Sequence, residues 1–482
     1  MENNKRRKFL KTSLAAAGGI SIIPSSSIFA GKNIWHEESQ SFKKTYLPSE
    51  KVNIAFIGIG HRGGDIAKAL YKTGLANVVA LCDVDMEAKH TQEVISMFPN
   101  VPRYKDFRDM FDKMGDKIEA VSVGTPDFSH FPITMLAMSL GKHVYVEKPM
   151  ARTFNEVELM MKGAKKYNVQ TQMGNQGHSG ANYFQFKAWK DAGIIKDVTA
   201  ITAHMNSKRR WHGFDNSITK FPAKEAKPAT LDWDTWLSAA EHHDYNKDYH
   251  HGQWRCWYDF GMGALGDWGA HLLDTAHQFL DLGLPTEIKA HRLDGHNSFF
   301  FPFSTTLEFK FPERGNMPPV DITWYDGIDN LPPLPDGYTA NALDPNIPPP
   351  SDGKLEVKKL SPGKIIYGKD LTFKGGSHSS TLDLVPDQKG NYRDVKLVKY
   401  PESPSDHFEN FLKACKGEEE CRSSFEIGGP LSQVFTLGVL AQRLSTNLEF
   451  DRKTKQITNN DLANRMLVGT PPRKGWEEFY KL

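Results

Sequence analysis

Apolar positions along the chain fall into two textures. Between about residues 51 and 173, short unbroken apolar runs alternate with stretches of helical period. The runs lie at 52–57, 77–82, 118–123, 143–146 and 169–173. Runs without polar alternation suit strands buried on both faces, the habit of a parallel sheet. Helical segments at 65–72, 86–97, 132–140 and 155–166 separate them. Strand and helix in alternation predict an α/β, doubly wound parallel sheet with helices on both faces. From about 174 the texture changes. A helix is predicted at 183–190, strands at 198–204, 303–311 and 320–325, a helix at 433–445 and a strand at 448–451. The stretch from about 326 to 362 is rich in Pro, Gly, Asp and Asn, which predicts an irregular surface insertion.

The first strand runs directly into Gly58-Ile59-Gly60-His61-Arg62-Gly63. A GxGxxG between strand and helix is a place for a dinucleotide pyrophosphate. Gly58 permits the tight turn, Gly60 a close backbone approach to phosphate, and Gly63 close helix–strand packing. The helix N-terminus adds free N–H groups and a positive dipole end. Asp83 closes the second strand, where an acidic residue can accept hydrogen bonds from an adenosine ribose. Its charge favours NAD; Arg62, nearby in sequence, leaves NADP open. Lys148 follows the strand at 143–146, so it projects at the carboxyl edge of the same sheet. Gly124-Thr125-Pro126-Asp127 ends another strand at that edge.

Composition narrows the class. The chain has 482 residues, 39% hydrophobic and 24% charged, which suits a soluble protein of two domains. A net charge of +2 leaves no nucleic-acid footprint. Residues 1–30 read as a twin-arginine export signal: Arg6-Arg7-Lys8-Phe9-Leu10-Lys11, a short apolar stretch, then a Ser-rich end near Ala30. That stretch is too short and too interrupted to span a bilayer. Residues 31–50 are a polar linker, 51–173 the nucleotide domain and 174–482 the substrate domain. The expected location is periplasmic or otherwise extracytoplasmic. Of four cysteines, Cys415 and Cys421 are close enough in sequence to pair in an oxidising compartment.

Four passages together resemble the Gfo/Idh/MocA oxidoreductases, the glucose–fructose oxidoreductase and inositol dehydrogenase family. They are GIGHRG from Gly58, VGTPDFSH from Val123, VEKP from Val146, and GALGDWGAHLLD from Gly263. The resemblance covers the chain from about Lys51 onward. It implies a Rossmann domain followed by an α+β domain with an open, mostly antiparallel sheet. It also implies that Thr125, Pro126 and His130 line the cofactor, and that Glu147 and Lys148 meet its ribose and nicotinamide. The family often carries Asn where this chain has Asp127. A tightly bound NAD or NADP, a small carbohydrate substrate and a homo-oligomer are expected.

Asp267, His271 and Asp274 stand at helical spacing, so they share one helix face. An imidazole beside a carboxylate suits removal of a hydroxyl proton. His271 is the expected general base, Asp267 its orienting partner, and Lys148 the group that polarises the reacting oxygen; the resemblance assigns the same roles. Asn175, Gln176 and His178 are candidates for substrate hydroxyls or the cofactor amide. Trp211, Trp254, Arg255 and Trp257 are further substrate candidates. Zinc on Asp267 and His271 with His178 or His277 is not expected, because hydride chemistry of this type does not need a metal. The expected activity is an exported NAD(P)-dependent oxidoreductase acting on a secondary alcohol of a sugar, polyol or glycoside. The alternatives are an NAD-dependent glycoside hydrolase using transient oxidation, and a non-catalytic sugar-binding relative.

Overall fold

The protein is described here by a computed structural model covering residues 47, 50–205, 217–250, 253–327, 329–338 and 361–482. The segment read as an export signal, nearly all of the predicted linker, Trp211 and most of the predicted 326–362 insertion lie outside the described residues.

The first sheet has six strands: β1 (Val52–Ile57), β2 (Ala76–Cys82), β3 (Arg103–Tyr104), β4 (Ala120–Val123), β5 (His143–Val146) and β6 (Thr171–Met173). All pairs are parallel, in the order β3-β2-β1-β4-β5-β6. The helices between them are α1 (His61–Lys72), α2 (Gln92–Met97), α3 (Phe107–Met114), α4 (His130–Ser139) and α5 (Phe154–Tyr167). Strand order reverses between β1 and β4, which opens a crevice at the carboxyl ends, where ligands of such sheets bind. Helix α1 begins at His61 rather than at 65. Gly60 is extended, and Gly63 and Gly64 enter the first turns because the chain passes too close there for side chains. The sequence pattern did not predict α3 or β3. Helix α3 buries Phe107, Met110, Phe111 and Met114, but charged neighbours dilute that period.

The second sheet has nine strands in the order β13-β12-β11-β7-β10-β9-β8-β14-β15. They are β7 (Ala200–Met205), β8 (Glu287–Asp294), β9 (Ser304–Phe311), β10 (Val320–Asp326), β11 (Gly363–Tyr367), β12 (Thr372–Gly375), β13 (Leu382–Val385), β14 (Leu448–Asp451) and β15 (Gln456–Ile457). Only β7 and β10 run parallel; the other pairs are antiparallel. The remaining helices are α6 (Ala181–Asp191), α7 (Trp233–Leu237), α8 (Gly263–Phe279), α9 (His407–Lys416), α10 (Phe425–Leu444) and α11 (Asp461–Met466). Helices α8 and α10 pack on each other and on one face of this sheet. Strand β10 shows the consequence: Val320, Ile322 and Trp324 are buried while Asp321 is exposed. Helix α10 starts at Phe425 rather than at the predicted 433, and Pro430 lies inside it. Helix α9 crosses back in space. Its Phe411, Leu412 and Cys415 join the core of the nucleotide domain beside Ile54 and Phe56. Cys82, Cys256, Cys415 and Cys421 are free buried thiols.

Candidate active site

The turn after β1 is built for a close neighbour. Gly58 has φ +77°, and a Cβ there would lie 2.8 Å from Gly124 and Thr125. A Cβ on Gly63 would run into the carbonyl of Gly58. No side chain caps α1, so its first N–H groups remain open to a phosphate. A cavity of about 390 Å³ lies over this turn, lined by Gly58, Gly60, His61, Arg62, Asp83, Thr125, Pro126, Trp236, His250, Trp254 and Arg255 among others. Asp83 accepts the Ile59 N–H at 3.0 Å and the Asp85 N–H at 3.1 Å. Burial pushes its carboxyl up to about 6, and the backbone donors only partly oppose that. Arg62 does not serve Asp83. Its guanidinium donates to Glu147 at 3.2 Å and to Gln176 at 3.0 Å, at the other end of the groove. The glycine cradle, open helix N-terminus and Asp83 fit a nicotinamide dinucleotide; the glycines would take its pyrophosphate and Asp83 its ribose.

A second cavity, about 230 Å³, adjoins the first; Arg62, Gly124, Thr125 and Arg255 line both. Its other walls include Asp127, His130, Glu147, Lys148, Gln176, Asp267, Trp268, His271 and His378. Lys148, from the loop after β5, donates to the Asp267 carboxylate at 2.8 Å and also to the Asp267 carbonyl. The pair joins the two domains and is about nine-tenths buried. His271 stands one helical turn further along α8. Burial, then the nearby Lys148 and His378, hold its pKa well below 6.5, with Asp267 opposing them. A neutral imidazole, a buried ammonium and a carboxylate around one small cavity can bind a hydroxyl and take its proton.

Helix α8 is buried on all sides from Gly263 to His277. Its small residues admit protein neighbours as well as any ligand. A Cβ on Gly266 would lie 3.5 Å from Pro149, next to Lys148, so the two domains approach there. Asp127 strengthens the joint: its carboxylate accepts the Met262 N–H at 3.2 Å, just before α8. Burial raises its pKa, against the pull of Arg255 and His130.

Most of the residues singled out from sequence line one of the two cavities, but Asn175, His178, Asp274, Trp257 and His277 do not. Asn175 and His178 sit behind the site. Asn175 donates to Asp274 at 3.3 Å, and its own side-chain oxygen accepts from Ser423 at 2.7 Å. The His178 ring lies 3.2 Å from Asp274 and 2.6 Å from Gln278. These contacts anchor α8, and Asp274 faces them rather than Asp267's cavity. His130 reaches the second cavity, but its two ring nitrogens stand 2.9 Å from the Pro149 carbonyl and 2.8 Å from the Thr125 carbonyl. It therefore ties the loops that carry Lys148 and Thr125. Trp257 is fully buried in an aromatic cluster with Tyr249 and Phe300. His277 bonds the Gly283 carbonyl at 2.8 Å. Among the described residues, no group of His, Cys, Asp and Glu is arranged to hold a metal.

Sequence reading missed His378, His90, Trp236 and His250. His90 stacks on His61 with centroids 4.8 Å apart, and Trp236 and His250 roof the first cavity. None belongs to a motif. The only signal for His378 is its polar, glycine-rich surroundings, Gly375-Gly376-Ser377-His378-Ser379-Ser380.

The parallel six-stranded sheet, the glycine turn and the Asp83 position define a Rossmann-type dinucleotide-binding domain, joined to a second, sheet-based domain. Residues 52–175 match the oxidoreductase family NAD-binding Rossmann fold, and residues 190–298 match that family's C-terminal alpha/beta domain. Both matched models are those of the Gfo/Idh/MocA oxidoreductase family. A glycosyl hydrolase family 109 protein of Shewanella sp. (strain ANA-3) is 29% identical over 33% of this chain. The matched stretch spans 36% of that relative's length. An inositol 2-dehydrogenase/D-chiro-inositol 3-dehydrogenase of Lactiplantibacillus plantarum is 26% identical, covering 38% of this chain and 51% of its own. In fold, the chain is similar to the WlbA dehydrogenase of Bordetella pertussis, solved with NADH and UDP-GlcNAcA. The TM-score is 0.55 at 14% identity, over 84% of this chain and 99% of that one. The aldose-aldose oxidoreductase of Caulobacter crescentus gives a TM-score of 0.54 at 15% identity, over 83% of this chain and all of that one.

Proposed function

We propose that the protein is an NAD(P)-dependent oxidoreductase acting on a secondary alcohol of a sugar, polyol or glycoside. The observation that carries this is the Lys148–Asp267 pair, 2.8 Å apart, in a cavity that adjoins the glycine-rich groove and also holds His271. When bound, the nicotinamide supplies the hydride acceptor or donor. The chain's own residues do the rest. Lys148 holds the substrate oxygen and stabilises negative charge on it. His271, neutral at pH 7, accepts the hydroxyl proton. Asp267 orients Lys148 and favours the imidazolium that forms. Arg62 and Glu147 fix the wall between the two cavities. NAD is favoured over NADP, because Asp83 is half-buried at the ribose position and Arg62 is engaged elsewhere. Trp236, Trp254 and His250 over the groove support tight retention of the cofactor.

A second reading, redox-neutral cleavage of a glycoside, draws on the glycosyl hydrolase family 109 relatives. It also suits a protein exported with its cofactor inside it, where no nicotinamide pool replaces what is consumed. The test is to denature the purified protein, identify the released nucleotide by mass spectrometry, and follow single-turnover reduction of the bound cofactor with sugars and glycosides. The expected result is bound NAD and reduction by a subset of the panel. Absence of any nicotinamide nucleotide, with no binding on titration, sinks both readings. Release of free sugar without net cofactor reduction selects the second.

A further inference from the structure

The first cavity is closed from above by the second domain. Thr235, Trp236 and Ser238 line it together with Asp83, Val84 and Phe107 of the nucleotide domain. Helix α7 and its flanks form this cover, and hydrogen bonds from other parts of the chain tie it down. The Asp232 N–H donates to the Val84 carbonyl at 3.0 Å, and the Lys105 ammonium donates to the Thr230 carbonyl at 2.7 Å. Arg473 makes the densest tie. Its guanidinium donates to the Ser238 carbonyl at 3.0 and 2.7 Å, to the Asp234 carbonyl at 2.8 Å and to the Asp234 carboxylate at 2.6 Å. A planar fork of donors suits such a set of acceptors, and a lysine cannot reproduce it.

The segment that carries Arg473 is anchored on the nucleotide domain. Trp476 packs on Phe107 with ring centroids 5.9 Å apart, and the Arg108 guanidinium lies 4.4 Å over the Trp476 ring. Tyr480 packs on Phe131 at 4.5 Å and donates to the Glu156 carboxylate at 2.7 Å. Residues 473–480 therefore form a strap, held on α3, α4 and α5 and reaching the cover through one side chain. Ser238 bears the mark of that hold. It has φ +51° and ψ −133°, a conformation that a non-glycine residue keeps only where its surroundings enforce it. Its hydroxyl is buried and has no hydrogen-bond partner among the described residues, which points to a ligand or a water.

Resting on the dinucleotide reading above, we propose that Arg473 is a positioning residue: it latches α7 over the adenosine end of the cofactor, so that the nucleotide exchanges only when this contact breaks. Arg473 lines neither cavity and acts through Asp234 and Ser238. A latch has a kinetic signature. Entry and exit use the same opening, so loosening it speeds both and leaves their ratio, the affinity, nearly unchanged. Loss of a group that only contributes affinity speeds exit alone.

The test uses the full chain loaded with isotopically labelled NAD, or with NADP if that is what it carries, and chased with unlabelled nucleotide. Dissociation is read from the chase and affinity from equilibrium titration. In Arg473→Met, dissociation should speed up about 10- to 100-fold, the loss expected for several charge-assisted hydrogen bonds. Kd should stay within about threefold, since association speeds up as well. Arg473→Lys, which keeps the charge without the fork, should fall between. Asp234→Ala removes only the carboxylate arm; it should speed exchange about threefold and serves if Arg473→Met fails to fold. Lys474→Met, at the exposed neighbouring residue, is the control and should exchange at the wild-type rate. Wild-type exchange in a folded Arg473→Met, faster dissociation matched by an equal rise in Kd, or equal acceleration in Lys474→Met overturns the latch alone. A wild type that binds neither nucleotide overturns the oxidoreductase reading and this inference with it.

Discussion

At the scale of residues, the proposed site depends on two side chains held by their surroundings. Lys148 is paired with Asp267 across the domain joint, and His271 is kept neutral by burial and by Lys148. Losing a positioned acid–base group costs about 10²–10⁴-fold in rate. Lys148→Ala and His271→Ala should each fall in that range with cofactor retained, read by single-turnover reduction. Their effects should not multiply in the double variant, because they serve one transition state. The pH profile carries a sign. His271 has a depressed pKa, so the neutral imidazole proposed as the base persists as pH falls below 6.5, and activity should be lost only lower. The charged and titratable groups around it are Lys148, His378, Asp267 and Arg62. Lys148→Met removes a cation that lowers the pKa, so the acid limb of its residual rate should move up towards 6.5. A limb that stays in place would assign the depression to burial and the remaining cationic neighbours rather than to Lys148.

At the scale of elements, the dinucleotide groove depends on how closely α1 meets β1. Gly63 sits against the Gly58 carbonyl and the Gly124 backbone, so even a methyl group has nowhere to go. Forcing volume into such a contact costs about 1–3 kcal/mol. Gly63→Ala should therefore lower the melting temperature and leave the purified protein with less than stoichiometric nicotinamide nucleotide. Gly74→Ala is the control at a glycine with φ +77° and no neighbour within 4 Å. It should lose some stability through its backbone while keeping the nucleotide. Equal nucleotide loss in both variants would show that the Gly63 contact is not what shapes the groove.

At the scale of the whole molecule, several buried histidines link stability to pH. Burial lowers His204 and His277 to about 4 and His407 to about 3, and lowers His271 too. The unfolded chain protonates these rings near 6.5 and the folded chain does not. Stability is therefore lost as pH falls from 6.5 towards 4, at about 1.4 kcal/mol per unit for each ring. Asp83, raised to about 6, and Asp326, raised to about 7, act the other way, since acid relieves the cost of burying their charge. Asp127 is raised as well, but the four histidines outnumber the two carboxylates raised into this range, so the melting temperature should drop between pH 6.5 and 4.5; a flat or rising profile would contradict this. Export belongs to the same scale. Replacing Arg6 and Arg7 with Lys should leave the precursor in the cytosol, checked by fractionation and by retention of the N-terminal segment. Unchanged processing would mean that another kind of signal directs the chain.

The nucleotide domain and half of the site were legible in the sequence because they depend on local rules. A parallel strand buried on both faces is an apolar run, a phosphate turn needs glycines at fixed spacing, and a residue at a strand's end projects into the crevice. Those rules located Gly58, Gly60, Gly63, Asp83 and Lys148 at the crevice, and helical spacing placed Asp267 and His271 on one face. Tertiary structure decided what local rules cannot reach. Asn175 and His178 follow β6 like ligands but turn inward, because the buried carboxylate of Asp274 needs partners more than the cavity does. Arg62 leaves the ribose end because Glu147 offers it an ion pair. Helix α9 joins the nucleotide core from the far end of the chain because its apolar face matches that of β1 and α1. His378 reaches His271 only through a turn of the second sheet. Burial, charge pairing and packing between distant segments are properties of the folded chain, and no window of sequence contains them.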